Sequence, residues 1–118
     1  MKTSTTLPDI PIRHKNETCC VAVGPSMSRE QTTRLADHLK ALGDPTRLRL
    51  LDLFVQQGGP MCVCDTTPHF TQNQPTISHH LRLLREAGLI DTDKRGIWSY
   101  YWSTDEGRRA LTVAKSLI

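Results

Sequence analysis

A chain of 118 residues and 13.3 kDa holds one domain and little more. With 37% hydrophobic but only 5% aromatic residues, the core must come from Leu, Val and Ile, and no apolar run approaches the ~18 residues a membrane helix needs. Residues 1–27 lack a continuous apolar stretch, so export is not expected and the cytoplasm is the expected location; 15 basic against 12 acidic residues give +3, a mild bias toward polyanions.

Residues 1–27 carry Pro8, Pro11, Gly24 and Pro25 among scattered polar residues and show no sustained period, so they are expected to be a flexible arm. The remainder, 28–118, is expected to be the folded domain. Ser28 with Gln31 is a capping-box pattern that opens a helix with Leu35, Leu39 and Leu42 on one stripe, stopped by Gly43. Asp44-Pro45 reads as an N-cap with proline in the first turn, followed by Leu48, Leu51, Phe54 and Val55 and ended by Gly58-Gly59-Pro60. A shorter helix is expected from Cys64 to Phe70. Asn73-Gln74-Pro75 opens a further one, buried along Ile77, Leu81, Leu84 and Ala87 and stopped by Gly88.

After Gly88 the pattern changes to strand (89–92), polar turn (93–96) and strand (97–102). Ser103 with Glu106 then suggests a last capped helix with Leu111, Ala114 and Leu117 on its stripe. The expected fold is mainly α with a β-hairpin wing, a winged helix-turn-helix. One small domain has little left to cover the stripes of helices 28–42 and 104–118. A homodimer packed through the first and last helices is therefore expected.

In a helix-turn-helix the second helix enters the major groove of double-stranded DNA with its N-terminal residues against base edges. With Ile77 and Leu81 inward, Gln74, Thr76, Ser78 and His79 fall on the outer side. All four can hydrogen-bond, and glutamine can pair bidentately with adenine. Ser, Thr and His are mediocre helix formers, which weighs against an ordinary solvated face. Arg82 could reach phosphates, and Lys94 and Arg95 at the hairpin tip would contact the backbone or the minor groove. Arg85, beside Glu86, fits a solvated face equally well, and His80 reads as a core-edge residue.

Lys40-Ala41-Leu42-Gly43-Asp44-Pro45-Thr46-Arg47-Leu48-Arg49-Leu50-Leu51 resembles the second-helix signature of the ArsR/SmtB repressors. Gln74-Pro75-Thr76-Ile77-Ser78-His79-His80-Leu81 resembles their recognition helix, Cys62-Val63-Cys64-Asp65 their metalloid box, and Leu84-Arg85-Glu86-Ala87-Gly88-Leu89-Ile90 their run into the wing. The likeness covers about residues 30–103 in the usual order. It implies, for a chain of the arsenical-resistance type, a homodimeric winged-helix repressor that leaves its operator when a toxic metal or metalloid binds. No organic cofactor is implied.

Cys19, Cys20, Cys62 and Cys64 are the expected ligands. Thiolates select soft ions, so As(III) is the expected inducer, with Sb(III) a companion and Cd(II), Pb(II) or Zn(II) the alternatives. Arsenite takes three sulfurs in a pyramid, whereas tetrahedral ions take four, and the count leaves both open. On a regular helix Cys62 and Cys64 would point about 200° apart, but in extended backbone they would share a face. Both could chelate only at a helix start, where free N–H groups would lower a thiol's pKa. If both were helical in the free protein, the ion would have to distort that turn and tilt the reading helix.

The resemblance also implies that some relatives use an arm pair with the box of the opposite chain, while others use a third cysteine three residues past the second. Here that position is Thr67, which makes the arm pair an expected contributor. The family's last-helix site of Asp and His ligands has no histidine here to match it. His14, His38 and His69 are open as minor ligands but read better as surface residues. A thiol redox-sensing repressor is a further alternative. An enzyme is not expected, because the cysteine spacings do not fit a redox motif.

Overall fold

The computed structural model describes residues 7–10, 12, 14–15 and 23–118. The folded part runs α1 (Arg29–Leu42), α2 (Pro45–Gln57), β1 (Met61–Cys62), α3 (Val63–Thr66), a 3-10 turn (Thr67–His69), α4 (Gln74–Glu86), β2 (Ile90–Arg95), β3 (Trp98–Ser103) and α5 (Asp105–Lys115). This is the winged helix-turn-helix arrangement, with one strand more than expected.

The long helices start where side chains take up otherwise free N–H groups. Ser28 Oγ accepts from the Gln31 N–H at 3.1 Å while Gln31 Oε1 accepts from the Ser28 N–H at 2.9 Å, the anticipated capping box of α1. Asp44 Oδ2 accepts from the N–H groups of Thr46 and Arg47, and Asn73 Oδ1 from that of Thr76, opening α2 and α4. At α5 the cap differs from expectation. Thr104 Oγ1 accepts from the Gly107 N–H and donates to Gly88 O, while Ser103 is buried at the end of β3.

Two other segments depart from the sequence reading. The helix anticipated over 64–70 is one α-turn followed by a 3-10 turn, since Pro68 cannot supply an N–H to a continuing helix. The polar residues 93–95 belong to β2, which pairs through Arg95↔Trp98, so the turn is Gly96-Ile97 alone. The sheet order is β1-β3-β2, all antiparallel, with Met61↔Tyr101 and Cys62↔Tyr100 joining β1 to the wing.

Leu50, Leu51 and Phe54 of α2, Ile77, Leu81 and Leu84 of α4, and Leu89 are wholly buried. Tyr101 stacks on Phe54 at 6.2 Å between centroids and ties the sheet to this core. α5 lies so close to the β2 entry that a Cβ at Gly107 would fall on the carbonyl of Leu89, so only glycine fits there. By contrast, the stripes of α1 and α5 are only partly covered: Leu42 and Leu111 reach the core, but Leu35, Leu39 and Val113 are exposed. Leu117 follows the end of α5 and is also exposed. Among the described residues no helix is long and apolar enough to cross a membrane.

Candidate DNA-reading face and thiol site

α4 projects its polar face because Ile77, Leu81 and Leu84 anchor the opposite one. Gln74, Thr76, Ser78 and His79 are all exposed, with Gln74 in the first helical position after the Asn73 cap. Arg82 Nη2 donates to His79 Nδ1 at 3.0 Å, which leaves the proton of a neutral ring on Nε2, and Arg82 Nε lies 3.8 Å from Glu86. Arg85 is exposed on the same helix. On the wing, Arg95 Nη2 lies 2.9 Å from Asp93, and Lys94 is exposed beside it.

The entry to α4 is tied to α2 through Gln72 and Arg47, which the sequence reading did not single out, and through His80, which it did. Gln72 Nε2 donates to Thr46 Oγ1 at 2.7 Å. Arg47 Nη1 donates to His80 Nδ1 at 3.1 Å, while Arg47 Nε and Nη2 cap the last carbonyls of α1, those of Ala41 and Lys40. His80 therefore sits at a half-buried joint between α1, α2 and α4, as its core-edge position suggested. Burial would raise the Asp44 carboxyl beside it. The Arg47 N–H, the neighbouring His80 imidazole and the Thr46 N–H outweigh that and hold it below its ordinary value. A run of hydrophobic and basic residues gives no sign of these ties, since each joins positions on different helices.

Cys62 and Cys64 converge. Cys62 is the N-cap of α3 with extended backbone (φ −66°, ψ 144°), which puts its sulfur on the side of Cys64. Cys64 Sγ donates to Cys62 Sγ, and Cys62 Sγ also accepts from the Cys64 N–H at 3.4 Å. Of the two geometries considered above, the shared face is the one present, and the pair need not unwind a helix to meet one ion. The thiol pKa departs from expectation. For Cys64 the proton it donates to Cys62 raises the value, with the partial loss of water on the side facing Cys62 and the nearby Cys62 and Asp65 adding, and the local backbone N–H only partly offsets this. Cys62 is buried and Cys64 exposed.

Among the described residues no group of three or more His, Cys, Asp or Glu is assembled. Thr67, where a third box sulfur would stand, is half-buried in the 3-10 turn. Cys19 and Cys20 lie outside the described residues. His14 and His69 are exposed, and His38 Nε2 is 2.9 Å from Glu106 of α5, which also meets Arg34 at 3.6 Å.

The segment between the thiols and α4 is held from one side. The Arg49 guanidinium lies 5.1 Å from the Phe70 ring centroid and Arg49 Nη2 donates to His69 O at 3.4 Å. From the other side Cys62 pairs with Tyr100, which pairs in turn with Asp93, the partner of Arg95.

Residues 44–92 match the family model described as bacterial regulatory protein, arsR family. Over 77 residues the chain is 43% identical to an uncharacterized HTH-type transcriptional regulator of Methanocaldococcus jannaschii, a match covering 65% of this chain and 85% of that one. Over 62 residues it is 47% identical to the arsenical resistance operon repressor of Escherichia coli, covering 52% of each, so it matches about half the length of that relative. A solved homodimeric winged helix-turn-helix DNA-binding domain of Mycobacterium bovis, a possible ArsR-family transcriptional regulator, aligns at a TM-score of 0.68 and 24% identity, covering 82% of this chain and 89% of that one. That likeness shows a shared fold.

Proposed function

The chain belongs to the ArsR family of bacterial regulatory proteins, DNA-binding transcriptional regulators, and on that footing we propose that it is a homodimeric operator repressor released by As(III), and by Sb(III), at cysteine thiolates. The observation that carries the reading is the meeting of Cys62 and Cys64 one short helix and one turn ahead of α4. Both sulfurs are free thiols and soft donors, which fits a thiophilic ion. Cys19 and Cys20 are proposed to complete the ligand set, because Thr67 offers no sulfur. Gln74, Thr76, Ser78 and His79 are proposed to read base edges, with Arg82, Lys94 and Arg95 on the backbone. The exposed Leu35, Leu39 and Val113 are proposed to face the second protomer across α1 and α5.

The geometry supports a coupling between ion and DNA. The sulfur that caps α3 is the same sulfur proposed to hold the ion, so ligation and capping compete for one lone-pair donor. A shift at Cys62 can pass forward through the turn held by Arg49 and Gln72 to the start of α4, and sideways through Tyr100 to the wing. In capturing neutral arsenite each thiol proton leaves with an arsenite hydroxyl as water, so three As–S bonds replace three As–O bonds with no net proton released, whereas a bare divalent cation would release one proton for each thiol it binds.

Arsenite titration of the protein–operator complex should release DNA from the wild type, while Cys62→Ser and Cys64→Ser should bind DNA and fail to release it. Release by cadmium at lower concentration than arsenite would instead assign the protein to the tetrahedral ions. X-ray absorption should count three sulfurs around arsenic in the wild type and two in a Cys19→Ser/Cys20→Ser variant; three in both would remove the arm from the site.

A further inference from the structure

The wing ends in a residue that neither the fold nor the thiol site uses. Its turn is two residues long, with Gly96 at φ 63° and no non-glycine residue in the chain's described part at positive φ, the pattern of a II′-type hairpin turn. That geometry puts Ile97 at the outermost point of the hairpin, where it is 83% exposed beside a half-exposed Trp98. The flanking cations fall on opposite faces because successive strand residues alternate. Lys94 sits across from Ser99 on the face that carries Thr92 and the core-stacked Tyr101; Arg95 sits across from Trp98 on the outer face. A cation on each side and an aliphatic tip between them match one target: a groove with a row of phosphates along each wall and an apolar-accessible floor.

We propose that Ile97 is a minor-groove wedge, inserted between base pairs beside the site read by α4, with Lys94 and Arg95 against the two phosphate walls. This rests on the reading of the chain as an operator-binding repressor. Charge alone gives this hairpin little hold, since Asp91 and Asp93 balance Lys94 and Arg95 and the Arg95 cation is already paired with Asp93. Apolar side chains at such tips act by partly unstacking a base step, and they favour A·T-rich flanks because guanine places an amino group on the minor-groove floor.

The test uses full-length protein and a duplex that the wild type enriches from a random-sequence library. Ile97→Ala should bind that duplex about tenfold more weakly, with the slope of log affinity against log salt unchanged, and Ile97→Leu should restore binding. Lys94→Ala should instead lower the salt slope by about one. Guanine-to-inosine exchange in the flanks removes the minor-groove amino group without touching a phosphate; it should tighten the wild type and leave Ile97→Ala unmoved. Equal affinity of wild type and Ile97→Ala, a loss that comes with a reduced salt slope, or an equal inosine response of both proteins would each overturn the wedge while leaving the repressor reading in place. A wild type that enriches no duplex overturns both.

Discussion

α3 and α4 stand a few residues apart in the chain and are built to opposite standards. α4 runs thirteen residues, is capped by an asparagine and buries Ile77, Leu81 and Leu84 completely. α3 runs four residues, is capped by a sulfur at 3.4 Å and buries only Thr66, whose hydroxyl donates to Cys62 O. Isolated short helices are marginal, so α3 persists through its neighbours and not through its own hydrogen bonds. The lesson is a division of labour. The element proposed to read DNA is rigid, and the element proposed to sense the ion is the one a modest binding energy can rearrange.

Substitutions separate the two standards. Leu81→Ala should show the largest effect, a loss of about 2–5 kcal/mol in urea unfolding, because α4's buried face is part of the global core; a loss under 1 kcal/mol would mean α4 is no firmer than α3. Gly107→Ala should follow at about 1–3 kcal/mol, since its methyl can be seated only by moving α5 off Leu89, and with it the buried Leu111. Next comes Asn73→Ala, at about 1 kcal/mol for a lost N-cap.

Cys62→Ser should cost less than Asn73→Ala even though the site is buried, since the serine hydroxyl can take over the cap at the start of α3. The same variant should lose all response to arsenite. A Cys62→Ser protein as destabilised as Asn73→Ala would erase the contrast between sensor and reader.

The smallest effect concerns acid. Lys115 hydrogen-bonds Asp52 and lowers its pKa, and the α2 cap lowers that of Asp44. A carboxyl lowered by folding stabilises the native state above its unfolded pKa, and that contribution is lost as pH falls through the lower folded value. Stability should therefore drop below about pH 4, and Asp52→Asn should flatten part of that drop in acid titrations followed by circular dichroism. Both carboxylates are partly exposed, so the change should be small.

The exposure of Gln74, Thr76, Ser78 and His79 is legible in the sequence alone, because the buried stripe through Ile77 and Leu81 repeats at helical spacing and fixes the opposite face. The caps at Ser28, Asp44 and Asn73 were legible for a related reason: each bonds a backbone group only two or three residues away. The cap of α5 was misplaced by one residue, because Ser103 and Thr104 are equally good caps and only the pairing of Ser103 with Ile90 removes the serine to a strand.

What the order of residues settled by itself was local: where helices start, which face they bury, and that a hairpin follows them. Interactions across three or four residues need no distant partner, so the pattern carries them. The fold alone decided that Cys62 and Cys64 meet, that a two-residue strand at Met61 ties the thiols to the wing, that Gly107 admits Leu89, and that Ile97 rather than a charged residue stands at the wing's tip. Each of these depends on a turn conformation or on chain segments distant in sequence, and proximity of that kind is set by packing and pairing that no short stretch records.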